Sequence, residues 1–211
     1  PVEVDIASEF RYRDPILTEN TLVIIVSQSG ETADSLAALR LAKQMGLTTL
    51  AIVNVAGSSI AREAEHVLYT FAGPEISVAS TKAYSVQISL LYLIAFTLGQ
   101  ERGLLSEEQV RGLTAQLFAS AEAVRGVLRL QERIEMSAKS LAGAEHLFFL
   151  GRGLDYALAC EGSLKLKEIS YIHCEAYAAG ELKHGTISLI TEGVPVIALC
   201  TQTALLPKML S

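Results

Sequence analysis

Residues 22–36 read LVIIVSQSGETADSL, and the order of residue types in that stretch decides the class of fold. Leu22–Val26 is apolar without a break and rich in β-branched residues, the pattern of a strand buried on both faces. Ser27-Gln28-Ser29-Gly30 ends it with a tight polar turn, and from Glu31 to about Met45 the spacing predicts a helix. The same alternation extends outward. Thr48–Val53 and His66–Thr70 read as strands, and residues from Ser80 to about Leu98 as a long helix. Ser106 and Gln109 have the spacing of a capping box, which opens a helical stretch running to about Leu141. Leu147–Leu150 then reads as a strand that meets Gly151-Arg152-Gly153 and a helix from Leu154 to about Ile172. A final strand, Val194–Leu199, precedes Cys200-Thr201-Gln202-Thr203. Apolar strands separated by helices predict an α/β chain with parallel sheets covered by helices on both faces.

Composition removes other classes. Half of the 211 residues are hydrophobic and 19% charged, enough apolar material for one large core or two small ones and too much for disorder. With 17 basic and 23 acidic residues the net charge is −6, which excludes a nucleic-acid surface as the expectation. An anionic ligand must then be held by local geometry rather than by a global field. Cys160, Cys174 and Cys200 lie far apart with no CxxC spacing, and read as reduced core residues of a cytoplasmic protein. No His, Cys and Asp cluster has metal-ligand spacing, so neither a metal nor a cofactor is expected. The longest apolar run, Ile88 to Gly99, is too short to span a bilayer, and no signal peptide is visible, so no membrane role is expected.

A weak internal repeat organises the chain. Residues 3–11 (EVDIASEFR) align without gaps on 175–183 (EAYAAGELK), and strand-Ser27-Gln28-Ser29 falls on strand-Thr201-Gln202-Thr203 after a two-residue slip. The first unit lacks the strand-Gly-Arg-Gly-helix segment that opens the second, and the second lacks the strands that close the first. The expectation is two related units cut at opposite ends, spanning 1–111 and 140–211, with a helical connector at 112–139.

Three groups of residues can carry chemistry. Ser27-Gln28-Ser29-Gly30-Glu31-Thr32 joins a buried strand to a helix N-terminus, where free N–H groups and the positive end of the helix dipole favour an anion. Hydroxyls and an amide add neutral donors that suit the phosphate of a small sugar, and the absence of a Lys after Gly30 excludes a Walker loop. Ordinary helix capping by Ser29 or Glu31 is the competing account. A second polar turn, residues 77–82 (SVASTK), opens the long helix and on its own reads as a cap. Glu161, Lys165 and Glu168 share one helix face at i, i+4 and i+7, either as a solvated salt-bridged stripe or as a proton-transfer pair with its partner. Leu154, Leu158 and Ile172 continue that stripe, which argues for an apolar setting. Of the four histidines, His66 and His146 begin strands, and His173 and His184 flank the repeated segment.

At these residues the sequence resembles a known family. SQSGETADSL at 27–36, SVASTKA at 77–83 and EGSLKLKEISYIHCEAYAAGELKHG at 161–185 resemble the isomerase domain of glutamine–fructose-6-phosphate aminotransferase, the glucosamine-6-phosphate synthase family. The likeness extends over essentially the whole chain. It implies two SIS units of flavodoxin-like fold, both truncated here. It also implies conversion of fructose 6-phosphate, with ammonia released from glutamine by a separate glutaminase domain, into glucosamine 6-phosphate. By motif, Ser27, Gln28, Ser29 and Thr32 are expected to hold the sugar phosphate, and Val78 and Ser80 to contact the sugar. Glu168 is expected to be the base that moves a proton between C1 and C2, with Lys165 beside it. His184 is expected to assist ring opening in the site of a homodimer partner. The family's N-terminal cysteine nucleophile and its lysine-bearing tail have no counterpart in the sequence, so the chain alone is expected not to synthesise product. Two other readings stay open: a stand-alone SIS sugar-phosphate deaminase or deglycase, and a non-catalytic sugar-phosphate sensor.

Overall fold

A computed structural model describes all 211 residues. They form two compact units, Pro1–Ala119 and Ser120–Ser211, and the boundary falls inside one long helix.

The first unit carries a parallel three-stranded sheet of order β1 (Leu22–Ser27), β2 (Thr48–Val53), β3 (His66–Tyr69). Leu22 pairs with Thr48 and Ser27 with Val53, so the first two strands end level and their following loops share one edge. A short helix, α1 (Ala7–Phe10), precedes the sheet, and α2 (Ala33–Gln44) crosses from β1 to β2. The end of α2 is fixed by a Schellman motif: Leu47 N–H donates to Ala42 O and Gly46 N–H to Lys43 O, both at 3.0 Å. Ile25, Ala38, Leu39, Ala51, Val53 and Ile60 form the core, with Ile60 supplied by a one-turn helix, α3 (Ser59–Glu63). The expected cover on both faces is uneven, since Leu22 and Val26 of β1 remain about two-fifths exposed (42% and 41%).

Helix α4 (Lys82–Glu101) is longer than the apolar run within it suggested. Its polar first turn is helical too, and the whole is long and apolar enough, by length and composition, to cross a membrane. The capping box is present at the start of α5 (Glu107–Leu128): Ser106 N–H donates to Gln109 Oε1 at 2.8 Å, and Gln109 N–H to Ser106 Oγ at 3.2 Å.

The second unit contains α6 (Gln131–Leu141), β4 (His146–Gly151), α7 (Leu154–Ser170), β5 (His173–Ala178), β6 (Val196–Ala198) and a terminal α8 (Leu206–Met209). Its sheet is parallel with order β5-β4-β6. β5 was not expected from the sequence. Its residues HCEAYA lack a β-branched run, and it is a strand because each residue pairs in register with β4, from His146–His173 to Gly151–Ala178. Leu147, Phe149, Ala159 and Cys174 form the core. Of the three free cysteines only Cys174 is a core residue; Cys160 is exposed and Cys200 half-buried, which corrects the expectation for those two. Gly151 is required where β4 meets α7, because a Cβ there would lie 2.4 Å from the Asp155 backbone.

Candidate functional site

In the first unit the 27–32 loop continues directly from β1. Ser27 is buried at the strand end, and its Oγ accepts the Gly30 N–H at 3.1 Å and lies 3.3 Å from Thr32 Oγ1. Ser29 Oγ accepts the Glu31 N–H at 3.2 Å. Thr32 occupies the N-cap of α2 in an extended conformation, yet its side chain makes no capping bond. Capping of α2 by Thr32 therefore does not account for the polar loop. Gly30, at φ +67°, is where the chain turns; a Cβ there would lie 2.1 Å from Ser58 Oγ.

A segment that sequence reasoning missed, residues 54–60, supports this loop. Asn54 N–H donates to Gln28 O at 3.1 Å and Ile60 N–H to Gly30 O at 3.0 Å, while Ser59 N–H donates to Glu31 Oε1 at 2.7 Å. Two carbonyls and the one carboxylate of the loop are thus engaged from the same side. Asn54 also accepts from Thr70 Oγ1 and Ala72 N–H and donates to Gly73 O, tying the end of β2 to the chain leaving β3. In the second polar turn, Ser80 donates to Glu75, a hydrogen bond that holds the Glu75 carboxyl below its ordinary value. Val78 is 96% exposed.

In the second unit α7 places Lys165 Nζ between two carboxylates, 2.5 Å from Glu168 Oε2 and 3.8 Å from Glu161 Oε1. All three side chains are between one-fifth and three-tenths exposed. A carboxylate oriented by an ammonium is able to accept and return a proton, and the neighbouring positive charge offsets charge that develops on a substrate oxygen. The apolar setting expected around this stripe is not supplied by the unit: Leu154 and Leu158 are 68% and 43% exposed, and Ile172 lies beyond the end of α7. His184 stands exposed at the end of a 3₁₀ turn, Leu182–His184, before Gly185, and is not joined to the Lys165–Glu168 pair.

The loop at Thr201-Gln202-Thr203 differs from its counterpart after β1. Asp155, buried in the first turn of α7, accepts Thr201 N–H at 2.9 Å and Thr201 Oγ1 at 2.5 Å, with Gln202 N–H at 3.4 Å. These bonds, the Thr201 hydroxyl first among them, hold the Asp155 carboxyl below the usual range.

Comparison with known proteins adds a family and relatives. The SIS domain family matches residues 1–96 and 140–205. Glutamine--fructose-6-phosphate aminotransferase [isomerizing] of Clostridium acetobutylicum is 56% identical over 211 residues, all of this chain and 35% of that protein. The chain thus spans about a third of the length of the curated relatives it matches. Among solved structures, the C-terminal domain of glucosamine-fructose-6-phosphate aminotransferase from Francisella tularensis superposes with a TM-score of 0.96 at 43% identity, covering 100% of this chain and 59% of that one. Glucosamine-6-phosphate deaminase from Thermotoga maritima superposes with a TM-score of 0.76 at 25% identity, covering 97% and 60%.

Proposed function

Because the chain belongs to the SIS domain family, we propose that it forms the sugar-phosphate isomerase part of a glutamine–fructose-6-phosphate aminotransferase. The observation that carries this reading is the 56% identity to such an enzyme over all 211 residues. Fructose 6-phosphate is the substrate, ammonia from a glutaminase domain the nitrogen donor and glucosamine 6-phosphate the product. The intact protein acts in the cytoplasm as a homodimer.

The roles follow from the chemistry of each group. Ser27, Gln28, Ser29 and Thr32 hold the phosphate with neutral donors at the start of α2, and Val78 and Ser80 contact the sugar. Glu168 removes the C1 proton of the imine formed from the ketose and ammonia, and returns a proton to C2, giving the 2-amino aldose. Lys165, 2.5 Å from that carboxylate, orients it and supplies positive charge beside the reacting carbons. His184 assists ring opening in the partner subunit's site; its exposed position at a turn supports that role.

Calorimetric titration of the chain with fructose 6-phosphate, glucosamine 6-phosphate and fructose tests the binding half of this reading. The two phosphates bind and fructose does not. Equal affinity for fructose and its 6-phosphate contradicts it.

A further inference from the structure

Glu31 is out of place in a loop that holds a phosphate, since a second negative charge there opposes the ligand. The structure turns this carboxylate away. Its Oε1 accepts the backbone N–H of Ser59 at 2.7 Å, the first amide of α3, from 28 residues off in sequence. As one of the first amides of a helix it has no intrahelical acceptor, and Ser58 at the N-cap makes no side-chain capping bond. Ser58 Oγ is instead buried without a partner beneath Gly30. Hydrogen bonding from Ser59, its side chain first and then its amide, holds the Glu31 carboxyl below its ordinary value. Two neighbouring bonds act in the same sense: Asn54 N–H takes the Gln28 carbonyl and Ile60 N–H the Gly30 carbonyl.

We infer that Glu31 and the Ser59 amide form a positioning clamp for the sugar-phosphate loop: neither touches the ligand, and together they hold the loop's acceptors toward residues 54–60 and its own carboxylate away from the anion. The inference rests on the reading of 27–32 as the phosphate site. It assigns a role to the one charged side chain of the loop and to a segment that no motif marks.

Ser59→Pro breaks the clamp with little cost to α3. Ser59 is the first helical residue, where proline is favoured, and Ser58 before it is extended (φ −61°, ψ 161°), as a residue preceding proline must be. The substitution deletes the N–H that Glu31 accepts together with the Ser59 hydroxyl, which bears on the same carboxylate and accepts from Arg62 at 3.2 Å. Ser59→Ala removes the hydroxyl alone and, if the amide is the clamp, keeps the parent affinity. Titrated with fructose 6-phosphate, Ser59→Pro binds about fivefold or more weakly than the unaltered chain, with its melting temperature unchanged or raised. Glu31→Ala shows the same loss, whereas Glu31→Gln, which keeps the acceptor oxygen, stays within about twofold. Placing Glu31→Gln on the Ser59→Pro background recovers part of the affinity, because the released side chain no longer carries charge. Unaltered affinity in both Ser59→Pro and Glu31→Ala, while the parent chain binds, overturns the clamp and leaves the phosphate reading standing. Absence of fructose 6-phosphate binding by the parent chain overturns both.

Discussion

The loop after β1 and the loop after β6 start from similar sequences, Ser27-Gln28-Ser29 and Thr201-Gln202-Thr203, and arrive at opposite hydrogen-bonding states. In the first, the acceptors are consumed: Gln28 O, Gly30 O and Glu31 Oε1 all receive N–H groups from residues 54–60. In the second, the donors are consumed: the Thr201 amide and hydroxyl and the Gln202 amide all end on Asp155, and Gln202 Nε2 donates to Arg152 O. The first loop's Gly30 and Glu31 amides reach only its own hydroxyls, Ser27 Oγ and Ser29 Oγ, and no carboxylate. The second already has one, supplied by its own chain and only 3% exposed. Whether a polar turn at the end of a strand binds an external anion is therefore decided less by its hydroxyls than by what its neighbours have already satisfied.

In the proposed function the first unit holds the ligand and the second transfers the proton, and the largest effect is expected from separating the two. In the full-length enzyme Glu168→Gln keeps the shape of the side chain and removes its ability to take a proton. Turnover falls by roughly 10²–10⁴ while substrate affinity stays near that of the parent. Solvent exchange of the C1 proton at the parent rate in this variant would remove Glu168 from the reaction.

A smaller effect compares the two loops directly. Ser29→Ala combined with Thr32→Ala weakens fructose 6-phosphate binding by about tenfold, on the order of 1.4 kcal/mol. Thr201→Ala combined with Thr203→Ala leaves the affinity as it was. A matching loss in the second pair breaks the comparison.

The smallest effect on function, and a clear one on stability, is expected at Asp155. Its folded pKa lies below the unfolded value of about 3.9, so its bonds stabilise the fold above that pH and are lost as pH falls through the folded value. Asp155→Asn lowers the melting temperature at neutral pH and flattens the fall in stability on acidification below about pH 4. Its sugar-phosphate affinity does not change. Melts recorded from neutral to acid pH beside a titration at neutral pH check both halves.

Much of the fold can be read from the sequence, for a physical reason that also marks the limits. β1, β2 and β4 are apolar runs stopped by Gly, Ser or Asn, and α2 and α7 follow them with helical spacing, so each element announces itself. β5 does not, because HCEAYA becomes a strand through its ladder to β4 and not through its own residues. α3, one turn long, is too short for a period to be visible. The site divides in the same way. Ser27–Thr32 and the Glu161–Lys165–Glu168 stripe follow from local order and from spacing along one helix. Asp155 meets Thr201 across 46 residues, and Ser59 meets Glu31 across 28. Nothing in the immediate neighbourhood of any of these four residues encodes its partner.

The most direct test of the contrast between the loops follows the backbone amides of both during one titration. With the chain labelled with nitrogen-15, amide resonances are recorded as fructose 6-phosphate is added. The account predicts saturable shifts at Ser27 to Thr32, one ligand per chain, and resonances of Thr201 to Thr203 that stay in place. Saturable shifts at 201–203, or none at 27–32, would contradict it.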